Sequence, residues 1–257
     1  MSVSSLPAAE ALSREEVMKR NRLTRANVEN RYGLEVYDQK SVVSGSRLRQ
    51  LKFMVKALLK PAMGRRVWID RAPTYRDSFL SQMHNREHII MLDVLNKYQP
   101  DRITEIGCGW GKNLDLIFRS VPSVKQATAI DVSPAFLDQC RELLAGRPVR
   151  YIQSAFEDIT PACLDGWVLA FNTFLYCRPK SLNRLTDVLS QHAGKLLLLR
   201  EPCCDRGRYR MGSEINYYHN YFRAFAGFPC EVLRYEEDFV SMLVDFSARR
   251  GRDARAA

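Results

Sequence analysis

The chain has 257 residues, 46% of them apolar and 26% charged, which suffices for one α/β domain with a modest cap and is too apolar for a disordered protein. Thirteen Gly and eleven Pro argue against a fibrous or low-complexity chain, and no run approaches the roughly 20 apolar residues that span a bilayer. The net charge of +10 is uneven: residues 1–100 hold 18 Lys/Arg against 10 Asp/Glu while the remainder is nearly balanced, so the front of the chain is expected to meet something anionic.

The first residues lack a basic start followed by an apolar core, so no secretory signal is read there and a cytoplasmic location is expected. Residues 8–31 read as a helix ended by Gly33. A second helix is expected over 46–60, stopped by Pro61. Arg49, Lys52, Lys56 and Lys60 fall on one of its stripes and Leu48, Leu51, Val55, Leu58 and Leu59 on another. That stripe is either a solvated face or a surface for phosphates or anionic lipid. A third helix is expected over 75–98, closing at Pro100. His84 and His88 stand one turn apart there without a third ligand, and the seven cysteines form no C-x-x-C pair, so no metal site is expected.

From Asp101 the pattern changes. Strands are expected at 103–106, 126–131, 149–153, 167–172 and 195–200, with helices near 112–120, 134–145 and 179–192 between them. Alternation of this kind implies a parallel sheet with right-handed crossovers. Two further strands, 230–235 and 239–246, are joined by Glu236-Glu237-Asp238, too short for a parallel crossover, so the last strand should be antiparallel. The expected organisation is a basic helical cap (1–99), an α/β domain (100–248) and a frayed basic tail (249–257).

The informative segment is Glu105-Ile106-Gly107-Cys108-Gly109-Trp110-Gly111-Lys112, at the end of the first strand and the start of a helix, where open α/β sheets bind ligands. A dinucleotide fingerprint would need a small residue at Lys112, and a P-loop would need a glycine at Ile106 and a hydroxyl residue at Asn113. What fits is Glu-x-Gly-x-Gly-x-Gly, which resembles the first motif of the class I S-adenosylmethionine-dependent methyltransferases. Asp131 follows 22 residues after Gly109, at the end of the second strand. Gln153-Ser154-Ala155-Phe156-Glu157-Asp158 follows the third.

This resemblance, over about residues 100–247, implies a Rossmann-like, mostly parallel sheet with the last strand antiparallel and the helical cap at its N-terminal side. It also implies S-adenosylmethionine as cofactor. Glu105 would hold the amino-acid end of the donor, Gly107, Cys108, Gly109 and Gly111 would admit its methionine and ribose portions, and Asp131 with Val132 would bind the ribose. Ala155 and Phe156 would contact adenine. Asn172, after the fourth strand, and Arg86, in the preceding helix beside Asn85, complete the implied donor contacts.

Acceptor groups are expected at the ends of the fourth and fifth strands. Asn172-Thr173-Phe174-Leu175-Tyr176 lacks the two prolines of the family's amino-methylating nucleic-acid enzymes, and Pro202-Cys203 lacks the companion motif of a cytosine C5 enzyme. Glu201 is a candidate general base or substrate hydrogen-bonding group, and equally a partner for a nearby arginine. His219 is a second candidate base, expected to face away from Tyr217, Tyr221, Phe225 and Phe228, which recur at helical spacing and read mostly as packing. The leading expectation is metal-free O-methylation of a small anionic acceptor, such as a glycan intermediate, nucleotide sugar or specialised metabolite. The alternatives are an RNA methyltransferase that uses the basic helix, and a donor-binding subunit without catalysis.

Overall fold

Leucine- and β-branched-rich runs between residues 102 and 245 pair into one seven-stranded sheet, flanked by helices on both faces. The computed structural model describes residues 32–34, 53, 63–77, 84–204, 207–213, 215–236 and 238–248. Within them the strands are β1 (Arg102–Ile106), β2 (Gln126–Asp131), β3 (Val149–Gln153), β4 (Trp167–Phe171), β5 (Lys195–Pro202), β6 (Tyr209–Met211), β7 (Tyr217–His219), β8 (Cys230–Glu236) and β9 (Phe239–Asp245). The large sheet has the order β3-β2-β1-β4-β5-β9-β8, and β6 and β7 form a separate pair. Strands β1 to β5 are parallel, and β9 runs antiparallel to both β5 and β8, so the last strand has the expected direction.

The helices are α1 (Met63–Tyr75), α2 (Arg86–Tyr98), α3 (Lys112–Ser120), α4 (Pro134–Leu143), α5 (Pro179–His192) and α6 (Tyr221–Ala224). The run Leu196 to Leu199 shows why β5 is apolar throughout: Leu197 and Leu199 pack with α2, α3 and α4, whereas Leu196 and Leu198 pack with α5 and Tyr221. Both faces of a strand covered by helices must be hydrophobic. The order reverses between β1 and β4, which places the ligand crevice above their carboxyl ends.

Two expectations change. Of the helix expected over 75–98 the described helical part is α2, Arg86–Tyr98: Tyr75 is the last residue of α1, and Asn85 caps α2, its main-chain N–H donating to His88 Nδ1 at 3.0 Å. The apolar face of α2, including Met91, Leu92 and Leu95, lies in the same core as Ile103 and Leu114, so α2 packs directly on the sheet. Tyr217 to His219 form a strand rather than part of a helix, paired with Tyr209 to Met211. The helix expected at 8–31, the frayed tail and the basic stripe of 46–60 lie outside the described residues, except that Phe53 is helical and packs on Met211 and Tyr217. Among the described residues no helix is long and apolar enough to cross a membrane.

One ion pair ties α2 to the sheet edge: Arg234 on β8 meets Glu87 Oε1 at 2.8 Å and also Glu236, with Glu87 buried. Replacing Arg234 by Met would leave the Glu87 charge inside without its partner. Such a loss costs about 3 kcal/mol, and urea unfolding should read it as a lower midpoint.

Candidate active site

The glycine loop leaves β1 through Gly107 and Cys108, whose N–H groups both donate to the Ile130 carbonyl of β2, at 2.7 and 3.0 Å. Gly107, Gly109 and Gly111 all have positive φ, at 76°, 52° and 90°. They differ in what surrounds them. A Cβ on Gly107 would stand 2.4 Å from Thr173 Oγ1, and one on Gly111 2.7 Å from Cys140 Sγ, whereas one on Gly109 would meet nothing within 4 Å. Gly107 and Gly111 are therefore packing glycines, and Gly109 borders open space. Cys108 turns its thiol into the core beside Cys140, and that contact together with burial pushes its pKa well above the usual thiol value.

Asp131 closes the other side of the crevice. Its Oδ2 accepts the Gly109 N–H at 3.0 Å and its Oδ1 the Ser133 N–H at 2.9 Å. Burial raises its pKa, while these main-chain donors oppose the rise. Val132 is half-buried beside it, and Ser154 N–H bonds the Asp131 carbonyl at 3.0 Å, which brings the turn carrying Ala155 and Phe156 to the same edge. Phe156 sets its ring edge-on to Phe174 at 6.1 Å.

Under the loop lies Glu105, wholly buried. Its Oε1 accepts from Asn113 Nδ2 at 2.7 Å, and its Oε2 has no hydrogen-bond partner. Burial pushes this carboxyl up to about 8, and also brings the Lys112 ammonium down to about 8. A buried carboxylate oxygen without a donor is costly, and a ligand ammonium placed there would satisfy it. His88, held neutral chiefly by burial, faces Lys112 and Asn113, so the α2 terminus opened by Arg86 reaches the Glu105 side of the loop.

Helix α1 covers the crevice. Trp68 packs edge-on to Tyr176 at 4.9 Å and also contacts Phe136 and Tyr75, Gln139 donates to the Ala72 carbonyl at 3.1 Å, and the Arg76 guanidinium lies 5.7 Å above the Trp110 ring. Arg71 acts electrostatically on both Tyr75 and Tyr176. Sequence reasoning missed Asn113, Thr173 and this aromatic cover. The polar pair Lys112-Asn113 just after the glycines was an available signal; the cover is assembled from segments 60 to 110 residues apart and had none.

Glu201 and His219 are brought together, but around a turn. In β5 the pairing with β9 shifts register between Leu198 and Glu201, and Arg200 takes φ 54°. A bulge of this kind re-aims the next side chain. Glu201 Oε1 accepts the N–H groups of Thr173 at 2.5 Å and Phe174 at 2.9 Å, and Oε2 that of Leu175 at 3.0 Å. The carboxylate expected to face an acceptor or an arginine is instead occupied by main chain. His219, buried, directs Nε2 to the Cys177 carbonyl at 2.8 Å, and burial lowers its pKa to about 4. Its ring stacks on Tyr217 at 5.9 Å instead of facing away, because β7 places them on one side at two-residue spacing. Asn172, with φ 51°, stands exposed at the end of β4 beside Thr173.

Residues 103–192 match the family model of a methyltransferase domain. An S-adenosylmethionine-dependent methyltransferase from Leishmania major is similar in structure over 72% of this chain and 81% of its own, at 15% identity and a TM-score of 0.53. DhpI, solved in complex with SAH, is similar over 80% of this chain and all of its own, at 14% identity and 0.53. An S-adenosylmethionine-dependent methyltransferase from Clostridium acetobutylicum is similar over 71% and 100%, at 10% identity and 0.50. No curated protein matches the sequence.

Proposed function

We propose that this chain is a class I S-adenosylmethionine-dependent methyltransferase that moves the methyl group of its donor to a small anionic acceptor held beneath α1. The observation that carries the reading is the crevice above β1 and β2: an unpartnered Glu105 oxygen at one end, the Asp131 carboxylate at the other, and open space at Gly109 between them. These groups fit the donor's three polar parts. Glu105 suits its ammonium, Asp131 its ribose hydroxyls, and the turn at Ala155 and Phe156 its adenine. The donor supplies a methyl group on a sulfonium, so the protein's work is mainly alignment for an in-line displacement. Arg71 on α1 favours a negatively charged acceptor, and Trp68, Tyr75 and Tyr176 exclude water from it.

The test is transfer of a tritiated methyl group from the donor to a pool of small metabolites fractionated by anion exchange, with total RNA as a parallel substrate. Label is expected in small anions, and an Asp131→Ala protein should transfer little, because about 1.5 to 3 kcal/mol is lost for each bond to an ionised acceptor. Label confined to RNA, or equal transfer by both proteins, would overturn the reading.

A further inference from the structure

The structure assigns Glu201 a positioning role for the transfer site: its carboxylate holds the main chain of Thr173 to Leu175 and so seats Thr173 against Gly107, while His219 holds the far end of the same turn. The assignment rests on the reading of the Gly107–Gly111 loop as the donor loop.

Three N–H groups of consecutive residues converge on one carboxylate, which is wholly buried. Only an acceptor-only side chain satisfies all three. An amide would satisfy two with its oxygen and turn its own N–H toward the third. The turn these bonds fix is the floor of the crevice, since Thr173 fills the space where a Gly107 side chain would be. A displaced Thr173 therefore loosens the donor loop. At the other end, a carbonyl opposite His219 Nε2 keeps the proton on that nitrogen, and the imidazole acts as a fixed donor. Both carboxylate oxygens of Glu201 and Nε2 of His219 are thus engaged by the main chain of this turn.

The carboxylate form makes these bonds; a protonated Glu201 would bring a hydroxyl donor among three N–H donors. Burial pushes its pKa up to about 7, with the three N–H groups and Tyr221 opposing the rise. The other titratable groups around it stay silent near neutral pH. Tyr176 and Cys177 from the turn and Tyr221 from α6 are all pushed above their ordinary values, His219 is neutral, and β9 presents Val240 opposite Glu201. Tyr176 touches Trp68, so Trp68 emission reports on the turn.

The experiment compares S-adenosylhomocysteine affinity in the protein and its Glu201→Gln variant, and reads Trp68 emission separately in the same pair carrying Trp110→Phe and Trp167→Phe, so that Trp68 alone emits. At pH 8 the variant should bind S-adenosylhomocysteine about tenfold more weakly and show a changed Trp68 spectrum. The gap should close toward pH 6, where the native carboxyl gains its own proton. Glu105 and Asp131 titrate in both proteins and cancel in the comparison, and a general loss of packing would not vary with pH in this way. A folded variant with native affinity and emission at pH 8 overturns the assignment. Should the variant not fold, ¹³C-carboxyl resonances of the unsubstituted protein decide it: Trp68 emission must follow the Glu201 titration, and emission constant from pH 5.5 to 9 overturns the assignment. Failure of the parent protein to bind S-adenosylhomocysteine at all would instead remove the donor-loop reading.

Discussion

Gly109→Val should weaken S-adenosylhomocysteine binding at least a hundredfold in a protein that still folds, whereas Gly107→Val should destabilise the fold itself. The two glycines lie two residues apart and both have positive φ, so each substitution carries a backbone penalty of about 1 to 2 kcal/mol. They part at the side chain. At Gly109 a Cβ meets nothing within 4 Å, so the added isopropyl group harms only what enters from outside. At Gly107 a Cβ would stand 2.4 Å and 2.5 Å from Thr173 Oγ1 and Cγ2, in a turn clamped from below by Glu201. Overlap of that kind in a fixed core adds about 1 to 3 kcal/mol or more to the backbone strain. Calorimetry should give at least a hundredfold loss of affinity for the Gly109 variant, with a melting temperature within several degrees of the parent. Native affinity in that variant would place the donor elsewhere.

How far the sequence reveals such a site depends on whether a residue's role is local. The glycine loop, the place of Asp131 and the strand positions follow from spacing and periodicity, because a loop between a strand and a helix is built from consecutive residues. The roles of the donor-side residues come from the resemblance that this local pattern carries. For Glu201 the chemistry suggests a base, a substrate hydrogen bond or an arginine partner, and only the bulge at Arg200, set by pairing with β9 some forty residues later, turns its carboxylate onto the β4 turn. The orientation of His219 is misread for a related reason. Its neighbours fit a helical repeat as well as a strand, and the pairing of β7 with β6, not local propensity, decides which side the ring faces. The cover formed by Trp68, Phe136 and Tyr176 is wholly tertiary, and no single segment announces it.

Glu105→Gln should stabilise the protein near pH 8 and weaken donor binding there. The folded carboxyl, pushed up to about 8 by burial, holds its proton more tightly than the unfolded chain, whose ordinary value is 4.5. Between those values the native state binds more protons than the unfolded state, so stability falls as pH rises through the window. The amide keeps an oxygen for Asn113 and has no charge to bury, so its contribution is flat, and the variant should overtake the parent as pH approaches 8. Donor binding has the opposite slope. An ammonium beside Oε2 favours the ionised carboxyl, binding expels a proton below pH 8, and the affinity of the parent should rise by up to about tenfold per pH unit from 6 to 8. Lys112, also brought down to about 8, begins to lose its charge in the upper part of that window, but it is present in both proteins, as Asp131 is. S-adenosylhomocysteine retains the same amino-acid end and serves as the ligand. Its affinity for the variant should lack this Glu105 component and be much the weaker at pH 8; an unchanged slope would mean that the orphaned oxygen does not meet the donor's ammonium.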